Sequence, residues 1–270
     1  MTAADPAELV VLAERIAREA GTLVRERRAA VERMTVAATK STPTDVVTES
    51  DTAAEELIRT RLADARPDDG ILGEEAGTTA GGSGVLWVVD PIDGTVNYLY
   101  GIPQYAVSIA AQVDGVVVAG VVHNPESGAT WTARRGGGAH LDRKPIRQSG
   151  CDRLDRALVG TGFGYDAARR AGQAAVLLEV LPAVRDIRRA GAAALDLCAV
   201  ATGWLDAFYE RGLAAWDLAA GALIAEEAGA VVGGLHGRGA GPDLVLAAAP
   251  GIAAELRDLL ERVGADRDPD

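Results

Sequence analysis

The chain has 270 residues, 48% of them hydrophobic, and a formal net charge of −12; this is enough apolar material for a substantial core in one large domain or two intimate halves. The negative balance argues against a general nucleic-acid surface, which needs clustered Lys and Arg, but not against a phosphate substrate, because a bound cation inverts the field of an acidic pocket. Cys151 and Cys198 stand in no CxxC or metal-like spacing, so no disulfide framework is expected; without a secretory start or an apolar run of spanning length, the expected location is cytoplasmic, with no membrane partner.

From Ala7 to about Met34, Leu9, Leu12, Ala13, Ile16, Ala20, Leu23 and Val24 recur at helical intervals with charged residues between them, predicting an amphipathic helix that packs on the remainder. The polar stretch Thr39 to Asp51 leads into a second periodic segment, Thr52 to about Ala65. Ser50 or Asp51 is a candidate cap for that helix, and Asp51 joins a site only if its carboxylate points inward. Lys40 reads as a solvated loop lysine. Asp68 to Gly77 reads as a turn, a short strand and the acidic pair Glu74-Glu75. Two carboxylates sharing a buried site repel each other, so these are expected to point apart or to meet a cation. Thr78 to Gly84 is a small-residue loop, expected to be mobile and able to border a site.

Val85 to Val89 has the apolar, β-branched character of a buried strand and runs directly into Asp90-Pro91-Ile92-Asp93-Gly94-Thr95. Pro91 fixes its own φ and offers no amide hydrogen, while Gly94 permits close approach, so a tight turn is expected across which Asp90 and Asp93 converge. Converging hard oxygens suit Mg²⁺, and a helix opening near Asp93 to Thr95 offers its first amides to a phosphate. The competing account is an ordinary turn, with one aspartate as a cap and the other solvated.

Ala106 to Val113 and Val116 to Val122 are strands around the hairpin signal Asp114-Gly115, and a third strand near Ala129 to Ala133 completes a meander. Leu158 to Gly162 reads as a strand, Ala167 to Val184 as a helix, Leu195 to Thr202 as another helix and Ala207 to Glu210 as a strand. Trp216-Asp217 opens a helix that runs to Glu227 and stops at Gly229, with Asp217 placed to complement its dipole. A strand at Leu244 to Ala248 and a helix from about Ile252 to Val263 follow, and the tail after Gly264 is expected to fray. Arg25, Arg27 and Arg28, and later Arg185, Arg188 and Arg189, are expected on solvated helix faces; His123, His140 and His236 are scattered and read as structural or exposed.

Taken together, Gly73-Glu74-Glu75, Trp87 to Tyr98, and Trp216 to Gly221 with Glu226, Ala228 and Gly229 behind them resemble the inositol monophosphatase family of metal-dependent sugar-phosphate phosphatases. Lys40 through Asp51 and Gly191-Ala192-Ala193 support the resemblance, which covers nearly the whole chain. It implies an α+β fold, the layered αβαβα sandwich of the inositol monophosphatase and fructose-1,6-bisphosphatase type. Residues 1–270 would form one domain, roughly 1–145 binding metal and phosphate and 146–270 completing the substrate site, assembled as a homodimer.

The resemblance also implies roles. Glu74, Asp90 and the carbonyl of Ile92 would hold one Mg²⁺; Asp90, Asp93 and Asp217 would hold a second; Glu74 would help position a third, weakly held ion, and Mn²⁺ is an alternative metal. Gly94 and Thr95 would bind phosphate through their amides. The Thr95 hydroxyl, assisted by Asp51, would orient and activate the attacking water, making Asp51, Glu74 and Thr95 the catalytic set. Asp93, Gly191, Ala192, Ala193, Glu210 and Asp217 would meet the alcohol, and Arg211 leaves room for a more anionic substrate. The activity implied is lithium-sensitive, Mg²⁺-dependent hydrolysis of myo-inositol 1-phosphate or a close sugar phosphate. The alternatives are a histidinol-phosphate phosphatase and a regulatory interaction protein that keeps the phosphatase fold.

Overall fold

A computed structural model describes residues 5–30, 35–40 and 46–267. In chain order its elements are α1 (Pro6–Ala29), β1 (Ala38–Thr39), β2 (Val46–Val47), α2 (Glu49–Ala65), β3 (Gly70–Gly73), β4 (Gly77–Thr79), β5 (Val85–Asp93), α3 (Thr95–Tyr100), β6 (Ala106–Val113), β7 (Val116–His123), β8 (Thr130–Arg134), β9 (Ala139–Leu141), β10 (Lys144–Pro145), β11 (Leu158–Thr161), α4 (Ala167–Val180), β12 (Asp186–Arg188), α5 (Ala193–Thr202), β13 (Ala207–Glu210), α6 (Ala215–Glu227), β14 (Val231–Gly233), β15 (Val245–Ala248) and α7 (Pro250–Arg262). Eight strands form one sheet in the order β10-β9-β8-β7-β6-β5-β3-β4, and five form another, β12-β11-β13-β15-β14. The larger sheet is antiparallel except at β3–β5, whereas β11 runs parallel to both of its neighbours, β12 and β13.

Strand alternation builds five layers from these elements. Trp87 and Val89 of β5 face α1 and α2, packing with Leu9, Ile16, Ile58 and Leu62. Val88, on the opposite face, meets α5 and α6 through Leu195, Cys198, Leu223 and Ile224. The other side of that helix pair, through Leu197, Val200 and Leu218, packs on Phe208, Val245 and Ala247 of the smaller sheet. Val159, Tyr209 and Leu246 on its far face meet α4 and α7 through Val180, Ile252 and Leu256. The architecture is therefore the expected αβαβα sandwich. The helices of the middle layer are buried on both sides, which is why α5 and α6 are rich in Ala and lack a polar stripe. Among the described residues no helix is long and apolar enough to cross a membrane.

The Asp114-Gly115 hairpin stands where expected, both residues taking positive φ, 51° and 82°. Several expectations change. The first helix ends at Ala29; its expected end near Met34 lies outside the described residues. The fourth helix stops at Val180, where Pro182 interrupts the backbone, and a single 3₁₀ turn follows. Thr78 and Thr79 pair with β3 rather than forming an open loop, and the amides of Gly82 and Ser83 donate to the Asp68 carbonyl, so this segment is fastened and does not border the site. Past Gly264 the described residues, to Arg267, are anchored, since Ala265 is buried and Asp266 pairs with Arg238; the rest of the expected fraying tail lies outside the described residues. Arg188 belongs to edge strand β12, with Arg185 just before it and Arg189 just after it, so none of the three decorates a helix.

Candidate active site

The acidic stretch after Val89 is not a turn. Strand β5 continues through Pro91 to Asp93, paired with β6 at Asp90↔Ser108 and at Asp93↔Ala106, with one extra residue on the β5 side between them. A proline supplies no ladder donor and is accommodated at such a bulge. The extra residue decides the chemistry. Residues three apart on a regular strand face opposite sides; here Ile92 packs against Val24, Ala54 and Tyr98 on the α1/α2 side, while Asp90 and Asp93 both reach the other side. There carboxylate oxygens of Asp90, Asp93 and Asp217 lie within 4.8 Å of one another.

Each carboxylate is held by backbone. Asp90 Oδ1 accepts from the Ile92 amide at 3.0 Å. Asp93 accepts from the first-turn amides of α5, Ala193 at 3.2 Å and Ala194 at 2.8 Å, so the positive end of that helix points at the cluster. Asp217 sits in the first turn of α6 and accepts from the Ala214 amide at 2.6 Å. Burial first, then repulsion from Glu74, Asp93 and Asp217, holds the Asp90 carboxyl far above the usual range. Asp93 is raised in the same way by burial and Asp217, and burial with the charge of Glu74 pushes Asp217 up to about 7. Three crowded carboxylates that offer only oxygen form the donor set of a hard divalent cation, which would reverse these shifts.

Neither Ser50 nor Asp51 is the N-cap expected before Thr52: α2 begins three residues earlier, at Glu49, and Thr48 caps it, while the Asp51 carboxylate does point inward. As the third residue of α2, its Oδ2 accepts from the Thr48 amide at 2.8 Å and from the Thr48 hydroxyl at 2.5 Å, closing a capping box. Its Oδ1 accepts from Thr95 Oγ1 at 3.1 Å. The Thr95 hydroxyl also lies 3.0 Å from the Ile92 carbonyl; with one hydrogen to give, it has two competing acceptors. Burial raises the Asp51 carboxyl. The partner of the cap and the inward carboxylate are one residue, each using a different oxygen.

Glu74 and Glu75 meet a cation from the chain itself: Lys40 Nζ lies 2.7 Å from an oxygen of each. Lys40 is thus part of the site wall and not a free loop lysine. The turn that carries the pair is fixed from behind by buried Glu55 of α2, which accepts from the Glu75 amide at 2.8 Å, the Ala76 amide at 2.9 Å and Arg59 at 2.8 Å. Nothing in the sequence around Glu55 signals this; the hint is Gly73, where a Cβ would fall 2.5 Å from the Glu55 carboxyl carbon. Asn97 is a second residue that the sequence does not expose. Its Nδ2 donates to the carbonyls of Gln104 at 2.7 Å and Ala190 at 2.8 Å, fastening the loop before α5 to the segment after α3.

These groups line a cleft of about 500 Å³ between the two sheets. Glu74, Asp90, Ile92, Asp93, Gly94 and Thr95 form one wall; Gly191, Ala193, Glu210 and Asp217 form much of the other, with Lys40 at the rim. Gly94, at φ 90°, lies so close to the Gly191 carbonyl and Ala192 that a Cβ would stand 3.1 Å from each. Two expected residues do not line the cleft. Asp51 lies behind Thr95, fully buried, and Ala192 is 1% exposed because it precedes α5 and packs in the middle layer. Ala193 does reach the cleft, although its amide is already given to Asp93. Burial pushes Glu210 up to about 8, against the opposing field of Arg189. Arg189, expected on a solvated helix, lines the cleft together with Arg211.

The three histidines stay outside the cleft. His123 is buried, with Nδ1 2.8 Å from Thr130 Oγ1, and His236 pairs with Glu261 and Asp266.

A model of the inositol monophosphatase family matches residues 5–268. The chain is 52% identical to the inositol-1-monophosphatase of Mycobacterium leprae, over 96% of this chain and 95% of that one. It is 43% identical to a Pseudomonas aeruginosa protein named Nus factor SuhB, over 84% and 85%. The solved structure of Mycobacterium tuberculosis SuhB superposes with a TM-score of 0.83 at 50% identity, covering 97% of this chain and 99% of the other.

Proposed function

We propose, for a chain that belongs to the inositol monophosphatase family and is a phosphoric monoester hydrolase, that the substrate is myo-inositol 1-phosphate or a close sugar phosphate and that the cofactor is Mg²⁺. The observation that carries this is the meeting of Asp90, Asp93 and Asp217 in the wall of a cleft large enough for a sugar phosphate. Glu74, Asp90 and the Ile92 carbonyl would hold one ion, and Asp90, Asp93 and Asp217 a second, with Mn²⁺ as the alternative and Glu74 near a third. Bound there, such ions lower the pKa of water and offset charge on the phosphoryl group.

The chain's own groups then have definite work. Thr95 gives its hydrogen to Asp51 Oδ1, which frees the Thr95 oxygen to accept from the attacking water and orient it; Asp51 keeps its aim because its other oxygen is tied to Thr48. The amides of Gly94 and Thr95 take the phosphate oxygens, where the absence of a Cβ on Gly94 permits close approach. Glu210, Asp93 and the backbone at Gly191 and Ala193 meet the hydroxyls of the leaving alcohol. Residues 1–145 supply the phosphate end and residues 146–270 the alcohol end of a single domain, and the protein acts as a homodimer.

A panel of phosphate monoesters, assayed with and without Mg²⁺, tests the reading. Inositol 1-phosphate is expected to lead the panel, and Asp93→Asn to lower its turnover by about 10²-fold or more with the circular dichroism spectrum unaltered. An unchanged rate removes Asp93 from the cluster, and no metal-dependent release from any monoester sinks the proposal. Histidinol phosphate leading the same panel makes the alternative phosphatase the better description. The Nus factor name of one relative favours a second reading, a protein whose surface serves a partner; a pull-down with Asp93→Asn separates binding from hydrolysis, and the retained acidic set weighs against lost catalysis.

A further inference from the structure

Strands β12, β11 and β13 are adjacent and parallel, so their C-terminal ends open on one edge of the smaller sheet. Ligands of parallel sheets bind at that edge, where the loops leave the strands. Each of the three strands delivers an arginine there: Arg189 directly follows β12, Arg211 directly follows β13, and Arg169 lies in the first turn of α4, the helix that leaves β11. All three line the cleft. Glycines make room for two of them. A Cβ on Gly212 would stand 2.6 Å from Arg169 Nη1, one on Gly164 2.9 Å from Arg169 Cδ, and one on Gly191 would collide with Arg189 Nη1.

Arg189 makes no hydrogen bond and no ion pair with any described residue, and its charge acts on Asp196 and Glu210 through the field alone. The same edge also carries Asp166, whose Oδ1 is occupied by the Arg169 amide as the cap of α4. Three arginines thus stand beside Asp93, Asp166 and Glu210 where the leaving alcohol would lie, and Arg189 is hydrogen-bonded to none of these carboxylates. A neutral polyol does not need these arginines, whereas a guanidinium matches an oxyanion with two parallel donors.

We propose that this edge is an oxyanion subsite, with Arg189 as its specificity-determining residue, that selects phosphate monoesters whose alcohol carries a second acidic group. The second group is a phosphate or a carboxylate, both of which present oxygens to the fork in the same way. The proposal rests on the phosphatase reading above and ranks, among sugar phosphates otherwise alike, those with a second acidic group over their neutral counterparts.

Glucose 1-phosphate, glucose 1,6-bisphosphate and glucuronate 1-phosphate differ only at carbon 6, so their relative kcat/KM for cleavage at carbon 1, with Mg²⁺ present, isolates the second group. Inositol 1-phosphate is assayed beside them. The expected result is an advantage of about tenfold or more for at least one dianionic partner over glucose 1-phosphate, carried by KM and reduced at high ionic strength. Whether the phosphate or the carboxylate gains identifies the source. Arg189→Gln is expected to lower that ratio about tenfold and Arg189→Lys to restore part of it. Because a ratio does not depend on the fraction of folded enzyme, a damaged variant cannot imitate the effect. Equal kcat/KM values across the trio, or a ratio that Arg189→Gln leaves unaltered, overturns the subsite while inositol 1-phosphate is still cleaved; failure to cleave any of the four overturns the phosphatase reading with it.

Discussion

Replacing Gly73 by alanine should unfasten the acidic turn without touching an acidic ligand. Gly73 ends β3 with ordinary strand dihedrals, so alanine meets no backbone strain there. Its Cβ would instead stand 2.5 Å from the Glu55 carboxyl carbon and 2.7 Å from Oε2, too close for the carboxylate to remain. Glu55 would retreat from the Glu75 and Ala76 amides that it now holds at 2.8 and 2.9 Å. Each charge-assisted bond of this kind contributes about 1.5–3 kcal/mol, so a net loss of about 3 kcal/mol is expected after partial relaxation. In urea, with a slope of about 3 kcal/mol/M for a chain of this size, the midpoint should fall by about 1 M with the slope unchanged. Glu55→Ala already removes the clash partner, so Gly73→Ala added to it should cost less than about 1 kcal/mol, leaving a coupling of about 2 kcal/mol. A loss below about 1 kcal/mol for Gly73→Ala alone, or simple additivity in the double variant, would refute the account.

Two further expectations concern protons. Because the Asp217 carboxyl is pushed up to about 7 and binds a cation only when ionised, calorimetric Mg²⁺ affinity should rise with pH between about 6 and 8; a flat profile would contradict the crowding argument. Mg²⁺ at 100 times its Kd should add about 2.7 kcal/mol to stability relative to chelator, and Li⁺ should inhibit turnover by competing for a weakly held ion. Burial lowers His123 from 6.5 to about 4, so between those values the unfolded chain binds a proton that the folded chain refuses. Stability should therefore fall as pH drops through that window, by up to about 3 kcal/mol from this group. His123→Gln should flatten that part of an acid-denaturation curve, and an unaltered curve would show that the loss originates elsewhere.

The layered fold was legible because its signals are local. Alternation over Val85 to Val89, the Asp114-Gly115 pair and the helical spacing after Ala7 each determine an element without reference to distant parts of the chain. The cluster was legible because Asp90, Asp93 and Asp217 lie in motifs that carry a resemblance. Long-range contacts were not legible. Lys40 reaches Glu74 and Glu75 across more than thirty residues, Glu55 reaches Glu75 across twenty, and Asn97 reaches Ala190 across ninety-three; each is a common residue type whose partner lies too far along the chain for local pattern to indicate. Arg189 was misread because edge strand β12 is only three residues long, too short for a period to declare itself, so its arginines resembled a solvated helical run.

The extra residue in β5 also governs how the length of this stretch can change. Substitutions between Asp90 and Asp93 leave the count of residues intact and with it the side to which each one points. Deleting Pro91 would remove the extra residue and leave Asp90, Ile92 and Asp93 in strict alternation, so both carboxylates would still share one face and Ile92 would keep its apolar contact with Val24, Ala54 and Tyr98. Inserting one residue would also make the spacing of the two carboxylates even, four instead of three, which regular alternation again places on one face. What the present length cannot lose is the bulge itself: were β5 to pair with β6 residue for residue over the same stretch, Asp93 would turn to the α1 and α2 side and α5 would lose the acceptor for its first amides.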